Sequence, residues 1–194
     1  MIILASTSTT RQILLKNAGL EFSAVAPRVD ERALVAANPQ WSPDETPAKL
    51  AEAKAVDVSS RHPGALVIGA DQVLVLGDKI FSKPRNAEDC REQLLELRGK
   101  SHQLISGIAC ARDGNMIWTF ADRAQLTMRK FSDGFLVSYI ATVGGDCTTS
   151  VGGYKIEGLG LQLFETILGD HFTILGLPLI PLLRYLRTEG EIAE

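Results

Sequence analysis

Residues 66 to 84, LVIGADQVLVLGDKIFSKP, constrain the fold more than any other stretch of this chain. The apolar run Leu66, Val67 and Ile68 is typical of a buried strand, and a second apolar run follows at 73–76. An acid, Asp71, stands between the two runs, and Lys83 comes after them against a proline. A carboxylate and an ammonium set into a predicted core indicate a site rather than packing.

The rest of the chain alternates apolar runs with segments of helical period. Strands are predicted over 2–5, 21–26, 65–70 continued by 72–76, 79–81, 103–111, 116–129 and 161–168. Helices are predicted over 9–18, 46–60, 87–97, 135–141 and 178–186, with Ser132 as an N-cap before the fourth. Thr46 is the expected N-cap of the second helix, with Pro47 in its first position. Residues 38–47 and 144–160 are predicted to be irregular, and the mixture predicts an α/β class with a mixed sheet.

Length, charge and cysteine usage narrow the class of protein. The chain has 194 residues, enough for one domain over 1–194 with a real core. Its net charge of −3, with no basic stripe interleaved with aromatics, argues against a nucleic-acid partner. No apolar run approaches the roughly 20 residues that span a membrane, and no signal peptide is recognisable. The three cysteines are few and scattered, which predicts a reducing cytoplasm.

The segment ASTSTTRQILL, residues 5–15, leads from a strand through small hydroxyl residues into a helix. Unpaired N–H groups at the helix start and the helix dipole favour an anion there, and Arg11 in the first turn would be stabilised by a bound phosphate. Alternatively, Ser8 is only an N-cap and Arg11 a solvated side chain. The segment is not a Walker loop, because no Gly-Lys-Ser/Thr follows.

Two further segments carry weaker signals. In RVDER, residues 28–32, Asp30 or Glu31 could supply a carboxylate to a divalent metal, although a surface salt-bridge cluster is the commoner case. Lys54, in an alanine-rich predicted helix, is of interest only if that helix borders the same site; otherwise it lies on a solvated face.

Asp71 and the late glycine-rich segment are the remaining candidates. An acid at the end of a strand can act as a general base or metal ligand, because ligands bind beyond the carboxyl ends of strands in α/β sheets. Pro84 holds Lys83 extended, where its ammonium would favour ionised Asp71 and attract phosphate. In GGYKIEGLG, residues 152–160, Glu157 could accept hydrogen bonds from a base edge, unless the segment merely turns the chain. The three histidines have no recognisable site context.

The order of these motifs resembles one known family. The chain contains, in order, LASTS with Arg11 and Leu14-Leu15, VDE, a helical KA, GADQV, KP, and the glycine-rich GY and EGLG. Together these motifs resemble the Maf family of nucleoside triphosphate pyrophosphatases. The resemblance runs from Ile2 to about Leu186, nearly the whole chain.

The resemblance implies a fold, a reaction and a set of roles. The fold would be similar to that of inosine triphosphate pyrophosphatases, an elongated α/β domain with two lobes around a deep cleft, often a homodimer. The reaction would be hydrolysis of the α–β phosphoanhydride of a nucleoside triphosphate, with Mg²⁺ or Mn²⁺. Asp71 would activate water, perhaps through the metal, and Glu31 would help to bind the metal. The residues expected to hold the triphosphate are Ser8, Arg11, Lys54 and Lys83.

Departures from the family pattern bear on the substrate. Thr9 and Thr10 precede a single Arg11 where relatives commonly have Pro-Arg-Arg, and DCTTSV at 146–151 is unusual. Gln72 after the acid and Glu157 in the glycine-rich motif resemble the subgroup acting on 7-methyl-GTP. A glutamate suits the N1–H and 2-amino donors of guanine. The alternative function is a nucleotide-binding regulator of septum formation with little turnover.

Overall fold

The computed structural model describes residues 1–193, which form two compact units interleaved along the chain. Unit 1 comprises Met1–Gln72, Ile105–Arg123 and the chain from Asp170 onward, and unit 2 comprises Val73–Leu104 and Ala124–Gly169. The strands are β1 (Ile2–Ala5), β2 (Phe22–Ala24), β3 (Leu66–Leu76), β4 (Lys79–Phe81), β5 (Ser101–Arg112), β6 (Asn115–Met128) and β7 (Phe164–Leu168). The helices are α1 (Thr9–Asn17), α2 (Glu31–Ala37), α3 (Thr46–Ser59), α4 (Ala87–Leu97), α5 (Asp133–Val143), α6 (His171–Ile174) and α7 (Leu179–Thr188).

The seven strands form one mixed sheet, which confirms the predicted α/β class. Its order is β2-β1-β3-β5-β6-β7, with β4 paired to β3 outside this path. β1 pairs in parallel with both β2 and β3, whereas β4 pairs antiparallel with β3 and β7 antiparallel with β6. β3, β5 and β6 run through both units, so the two units share strands. The prediction of a single domain over 1–194 stays a prediction.

Unit 1 covers its part of the sheet on both faces. Along β1, Ile2 and Leu4 pack into a cluster with residues of α1 and α7, while Ile3 and Ala5 pack into a cluster with α3. This division follows from the strand geometry, since successive side chains point to opposite faces. Strands buried on both faces read as continuous apolar runs, which is why the sequence there shows no alternation.

Two glycines let α3 lie unusually close to the sheet. A Cβ on Gly69 of β3 would clash with the backbone oxygen of Ala51, and one on Gly107 of β5 would clash with the backbone at Pro47 and Ala48. Both positions therefore require glycine, because a side chain would push the helix away from the strands. The close approach brings the side chains of the middle of α3 against β3.

Unit 2 has a separate core that contains several neutral polar groups. Leu94 of α4 and Leu136 of α5 are buried, as are the aromatic rings of Tyr139 and Tyr154. The glycine-rich segment after α5 consists of three short 3₁₀ turns, Gly144–Thr148, Val151–Gly153 and Leu159–Leu163, in agreement with its predicted irregularity.

Several predicted boundaries need correction. Residues 66–76 form one strand, so Asp71 lies inside β3 and not at a strand end. Thr46 is the first residue of α3 rather than its N-cap, since the cap position is Glu45 and the Thr46 hydroxyl donates to Ser42 O instead. Pro47 is accordingly the second helical residue.

The prediction missed two short helices and overextended two strands. Helices α2 and α6 have seven and four residues, too few to show an apolar period. β2 is limited to Phe22–Ala24, and β7 is shorter than predicted because residues 161–163 belong to the preceding 3₁₀ turn. Among residues 1–193, no helix combines the length and apolar character needed to cross a membrane.

Candidate active site

Asp71 lies on β3 just beyond the point where the neighbouring parallel strand stops. The pairing of β1 with β3 ends at Ala5 and Gly69, two residues before the acid. Although Asp71 is inside its own strand, it therefore occupies the edge that a strand-terminal residue would occupy in a parallel sheet. It is buried, with 7% of its surface exposed.

Lys54 of α3 provides the counter-charge for this carboxylate. The close packing of α3 on Gly69 places its ammonium 2.6 Å from Asp71 Oδ1, and the lysine is itself only 6% exposed. Lys54 therefore does not lie on a solvated face. Moving two charges out of water costs more than a typical ion pair returns, so a buried pair of this kind is better evidence of function than of stability.

Glu31 meets the same lysine from α2. Its Oε1 lies 2.8 Å from Lys54 Nζ, and its side chain remains about half exposed, at 47%. Asp30 has a different role: it is the N-cap of α2, and its Oδ1 accepts a hydrogen bond from Ala33 N at 3.0 Å. The structure thereby distinguishes the two acids that the sequence left open, since only Glu31 faces Lys54.

Arg11 is anchored at two of its three nitrogens. Its Nε donates to Gly176 O and its Nη1 to Ala70 O, both at 2.8 Å, with a longer contact of 3.5 Å from Nη1 to Ser6 Oγ. Among residues 1–193, no hydrogen bond engages Nη2. The planar guanidinium is thus held in one orientation with one edge available for an anion.

The hydroxyls before α1 serve the local backbone. Ser8 is the N-cap of α1, and its Oγ accepts from Arg11 N at 3.4 Å. Ser6 is buried, and its Oγ accepts from Ser8 N at 3.1 Å as well as from Arg11. Ser8 is thus an N-cap as predicted, Arg11 is held by carbonyl oxygens and is not a solvated side chain, and the binding of an anion here stays a prediction.

Burial and neighbouring charges shift the pKa values of Asp71 and Arg11. Burial raises the pKa of Asp71 above its ordinary value, while the positive charges of Lys54 and Arg11 oppose that rise. Burial also lowers the pKa of Arg11, against the opposing effect of Asp71 and Glu31. A carboxylate with a raised pKa is a stronger proton acceptor than an exposed one, which suits a general base.

Gln72, the next residue, belongs to unit 1 as well. Its amide nitrogen donates within the chain, to Ser106 Oγ, Thr173 O and Ile174 O. Unit 1 therefore brings together six residues that the sequence singled out: Ser8, Arg11, Glu31, Lys54, Asp71 and Gln72.

Lys83 and Glu157 belong to unit 2. Lys83 is exposed and lies two residues after the end of β4, before the buried Pro84. Glu157 is exposed in the turn between two of the 3₁₀ segments. Their assignment to the substrate stays a prediction.

The two carboxylates beside Lys54 are of the type that a hard divalent cation prefers. Asp71 Oδ1 and Glu31 Oε1 both contact Lys54 Nζ, so the ammonium occupies the point between the two oxygens. Mg²⁺ typically takes one or two carboxylates and fills its remaining positions with phosphate and water oxygens. Among residues 1–193, no three His, Cys, Asp or Glu side chains are grouped so that they could hold a metal ion by themselves.

The sequence did not indicate every residue of this cluster. Ser6, Ser106, Thr173 and Gly176 contact Arg11 or Gln72 but were not singled out. The only local signal was the hydroxyl spacing Ser6-x-Ser8; residues 106, 173 and 176 are brought in by long-range contacts alone.

One protein-family model matches nearly the whole chain. The family model described as "Maf-like protein" matches residues 1–189. The chain belongs to the Maf family. That match spans both units and all the segments whose order suggested the resemblance.

Individual Maf relatives cover almost the full chain. A protein of Brucella abortus biovar 1 (strain 9-941) named 7-methyl-GTP pyrophosphatase is 52% identical over 192 residues, covering 97% of this chain and 96% of that protein. A protein of Bradyrhizobium diazoefficiens (strain JCM 10833 / BCRC 13528 / IAM 13628 / NBRC 14792 / USDA 110) named nucleoside triphosphate pyrophosphatase is 50% identical over 192 residues, covering 99% and 95%.

Solved structures are more distant. A HAM1 protein from Coxiella burnetii is 14% identical with a TM-score of 0.45, covering 67% of this chain and 73% of that one. A nucleoside-triphosphatase / dITP/XTP pyrophosphatase from Mycobacterium abscessus is 12% identical with a TM-score of 0.43, covering 97% and 94%. At these TM-scores neither likeness supports an argument about function.

Proposed function

We propose that this Maf protein hydrolyses 7-methyl-GTP to 7-methyl-GMP and pyrophosphate. Its enzyme class is that of its relatives: it is a nucleoside triphosphate pyrophosphatase, a hydrolase acting on acid anhydrides. The observation that carries the mechanism is the buried Asp71 carboxylate, paired with Lys54 and adjacent to the anchored Arg11. The regulatory alternative, nucleotide binding with little turnover, is not favoured.

Asp71 acts as the general base in this proposal. It accepts a proton from a water molecule whose oxygen bonds to the α-phosphorus, and the bond from that phosphorus to the bridging oxygen breaks to release pyrophosphate. The raised pKa of Asp71 supports this role, because it makes the carboxylate a better proton acceptor. Lys54 holds the carboxylate in place and limits its rotation.

Cationic side chains stabilise the triphosphate in this scheme. Phosphoryl transfer depends mainly on positioning and on neutralising the charge of the phosphate oxygens. The available Nη2 edge of Arg11 binds one phosphate oxygen, Lys83 binds another, and Ser8 marks the N-terminus of α1 that favours an anion.

Glu31 and Asp71 are the proposed holders of a divalent cation. When bound, Mg²⁺ or Mn²⁺ supplies positive charge to the phosphate oxygens and reduces their repulsion from the carboxylates. The two acids also compete for Lys54, so the lysine ammonium keeps the pair partly neutral before substrate arrives.

Glu157 is the proposed reader of the base. Its carboxylate can accept the N1–H and 2-amino hydrogens of guanine, and methylation at N7 makes that base cationic and strengthens both hydrogen bonds. The substrate named by the Brucella relative and by a 52% identical protein of Mesorhizobium japonicum (strain LMG 29417 / CECT 9101 / MAFF 303099) supports the same choice.

Two further parts of the proposal concern its setting. The three cysteines are free thiols and all are buried, which suits a reducing compartment such as the cytoplasm. A homodimer follows from the family resemblance alone and stays a prediction.

The test is pyrophosphate release from a nucleotide panel in the presence of Mg²⁺ or Mn²⁺ and in the presence of chelator. The panel contains 7-methyl-GTP, GTP, dTTP, UTP, CTP and inosine triphosphate, with Asp71→Asn as the control. We expect turnover to be highest for 7-methyl-GTP, to fall about a thousandfold in Asp71→Asn and to vanish in chelator.

Each other outcome removes a specific part of the proposal. Preference for dTTP and UTP would retain the mechanism and overturn the assignment of the base. Full turnover in chelator would overturn the cation, and full turnover in Asp71→Asn would overturn the general base. Nucleotide binding without turnover across the panel would favour the regulator.

A further inference from the structure

Lys83 stands on a short loop, residues 82–86, that connects β4 to α4 within unit 2. Pro84, the next residue, is buried and confines the backbone of Lys83 to extended conformations. The lysine itself is exposed, and among residues 1–193 no hydrogen bond or ion pair engages its side chain. Because a lysine side chain is long and flexible, the direction of this ammonium depends on how firmly the loop backbone is held.

Two side chains of α4 hold this loop on either side of Lys83. Gln93 Nε2 donates to Ser82 O at 2.9 Å, immediately before the lysine. Asp89 Oδ2 accepts from Arg85 N at 3.1 Å and from Arg85 Nε at 2.6 Å, two residues after the lysine. Positions four apart on a helix lie on the same face, so both anchors come from one side of α4.

The same side of α4 also contacts the strand before the loop. Glu96, three residues after Gln93, places its Oε2 2.6 Å from Lys79 Nζ on β4. The helix is a fixed support for these contacts, because Leu94 and Leu97 are fully buried in the core of unit 2. Segment 79–85 is therefore attached to one packed helix at its start and on both sides of its exposed lysine.

Gln93 carries a cost that packing does not explain. Its Oε1 is buried and has no hydrogen-bond donor among residues 1–193. A buried acceptor without a partner is destabilising, and an apolar side chain of the same length would avoid that penalty. The hydrogen bond that the amide donates to Ser82 O is the property that such an apolar side chain could not supply.

We propose that Gln93 is a positioning residue for Lys83. It fixes the loop backbone before the lysine through Ser82 O, while Asp89 fixes the backbone after it through Arg85. The inference rests on the proposed function in one respect, since it takes Lys83 as a ligand of the triphosphate. A loop that is already held loses less conformational freedom when a nucleotide binds. Because every substrate has the same phosphates, a residue that acts through Lys83 affects all bases equally.

The first experiment uses Gln93→Met, which keeps the length of the side chain and removes the donor. We expect KM to rise about fivefold and kcat to change less than about twofold, equally for 7-methyl-GTP, GTP and UTP, because a less ordered phosphate ligand weakens ground-state and transition-state binding alike. A merely structural role would lower the fraction of folded enzyme, and so lower kcat at unchanged KM, which would overturn the proposal. Gln125→Met, at an exposed position on β6, is the matched control and should leave both constants unchanged.

A double-mutant cycle tests whether Gln93 acts through the lysine. In a Lys83→Ala background, Gln93→Met should raise KM by less than about twofold further, because the residue through which it acts is absent. A second rise as large as the first would overturn the proposal. Asp89→Ala removes the anchor on the other side of the lysine and should also raise KM without lowering kcat, so it provides the test if Gln93→Met fails to fold.

A readout without turnover keeps the inference separate from the proposed function. The order parameter of the Lys83 backbone N–H, from ¹⁵N relaxation of the protein without nucleotide, should be about 0.85 in the parent and about 0.6 in Gln93→Met. Equal values in the two proteins would overturn the positioning role even if the enzyme is active. Conversely, absence of turnover on every nucleotide, with the order at Lys83 lost as expected, would count against the proposed function only.

Discussion

The two units differ in the charge of their buried polar groups. Unit 1 contains a buried ion pair, Asp71 with Lys54, and Arg11 held by carbonyl oxygens, beside buried neutral hydroxyls. The buried polar groups of unit 2 are neutral ones: His102 Nε2 lies 2.7 Å from the Tyr154 hydroxyl, and Tyr139 donates to Gly153 O at 3.0 Å. Burying a charge costs far more free energy than burying a hydrogen-bonded neutral group. The buried charges of unit 1 therefore have a free-energy cost that a function would explain.

His102 is an example of a buried polar side chain in unit 2 that has no charged partner in the part of the chain that the structure describes. His102 packs between the rings of Tyr154 and Phe164, and its Nδ1 is buried without a hydrogen-bond partner among residues 1–193. Burial lowers the pKa of His102 to about 4. Burial without a nearby counter-charge thus disfavours the protonated form of His102, whereas Asp71 has Lys54 and Arg11 as counter-charges.

The largest expected effect is on turnover at Asp71. Asp71→Asn should reduce kcat by about a thousandfold, because the amide cannot accept the proton from water. The protein should remain folded and bind nucleotide, since Lys54 keeps its contact with Glu31. Pyrophosphate release and calorimetric nucleotide binding provide the two measurements. Asp78→Asn, in the exposed turn before β4, is the control, and equal losses in both variants would contradict a special role for Asp71.

Removal of the lysine tests whether the buried charges of unit 1 depend on pairing. Lys54→Met should lower the free energy of unfolding by about 3 kcal/mol at neutral pH, because it leaves Asp71 buried without its nearest counter-charge. Urea denaturation measures this. Lys49→Met, on the same helix, breaks an exposed pair with Glu52 and should cost less than about 0.5 kcal/mol. Similar costs in the two variants would show that the buried pair depends on its partner no more than an exposed pair does.

The pH dependence of stability tests the neutral groups of unit 2. In the unfolded chain His102 binds a proton near its ordinary pKa of 6.5, whereas in the folded protein it does so only near 4. The unfolded state therefore binds more protons between these values, so stability falls as pH drops through them, by about 2 kcal/mol from pH 7 to pH 5. His102→Gln should flatten this slope in urea titrations across that range. His171→Gln controls for the loss of an exposed histidine, and an unchanged slope in His102→Gln would contradict the assignment.

The smallest effect is expected at an exposed acid of unit 2. Glu157→Gln should lower the preference for 7-methyl-GTP over GTP by about fivefold, because an amide loses the charge that favours a cationic base. The melting temperature should not change, since the side chain is exposed. Glu165→Gln on β7 is the matched control for loss of an exposed carboxylate. A preference that does not move in Glu157→Gln would remove this residue from base recognition.

Local patterns predicted much of the fold. Helix α4 was predicted with its exact bounds, and α3 within one residue, because both carry a clear apolar period and a recognisable start. Helix α2 escaped prediction because none of its residues is buried, so its sequence carries no periodic signal. The break predicted at Asp71 was wrong because the backbone continues its strand through a residue whose side chain is paired from α3.

The sequence by itself determined the α/β class, the order of the motifs and the identity of the charged residues that meet in unit 1. Those properties depend on side-chain chemistry and on local periodicity, which a linear chain displays directly. Only the tertiary structure decided that Glu31 and not Asp30 faces Lys54, and that Gln72 donates to Thr173 O while Arg11 donates to Gly176 O. These contacts join residues far apart in the chain, up to 165 positions for Arg11 and Gly176, and no local pattern records which distant carbonyl a donor will meet.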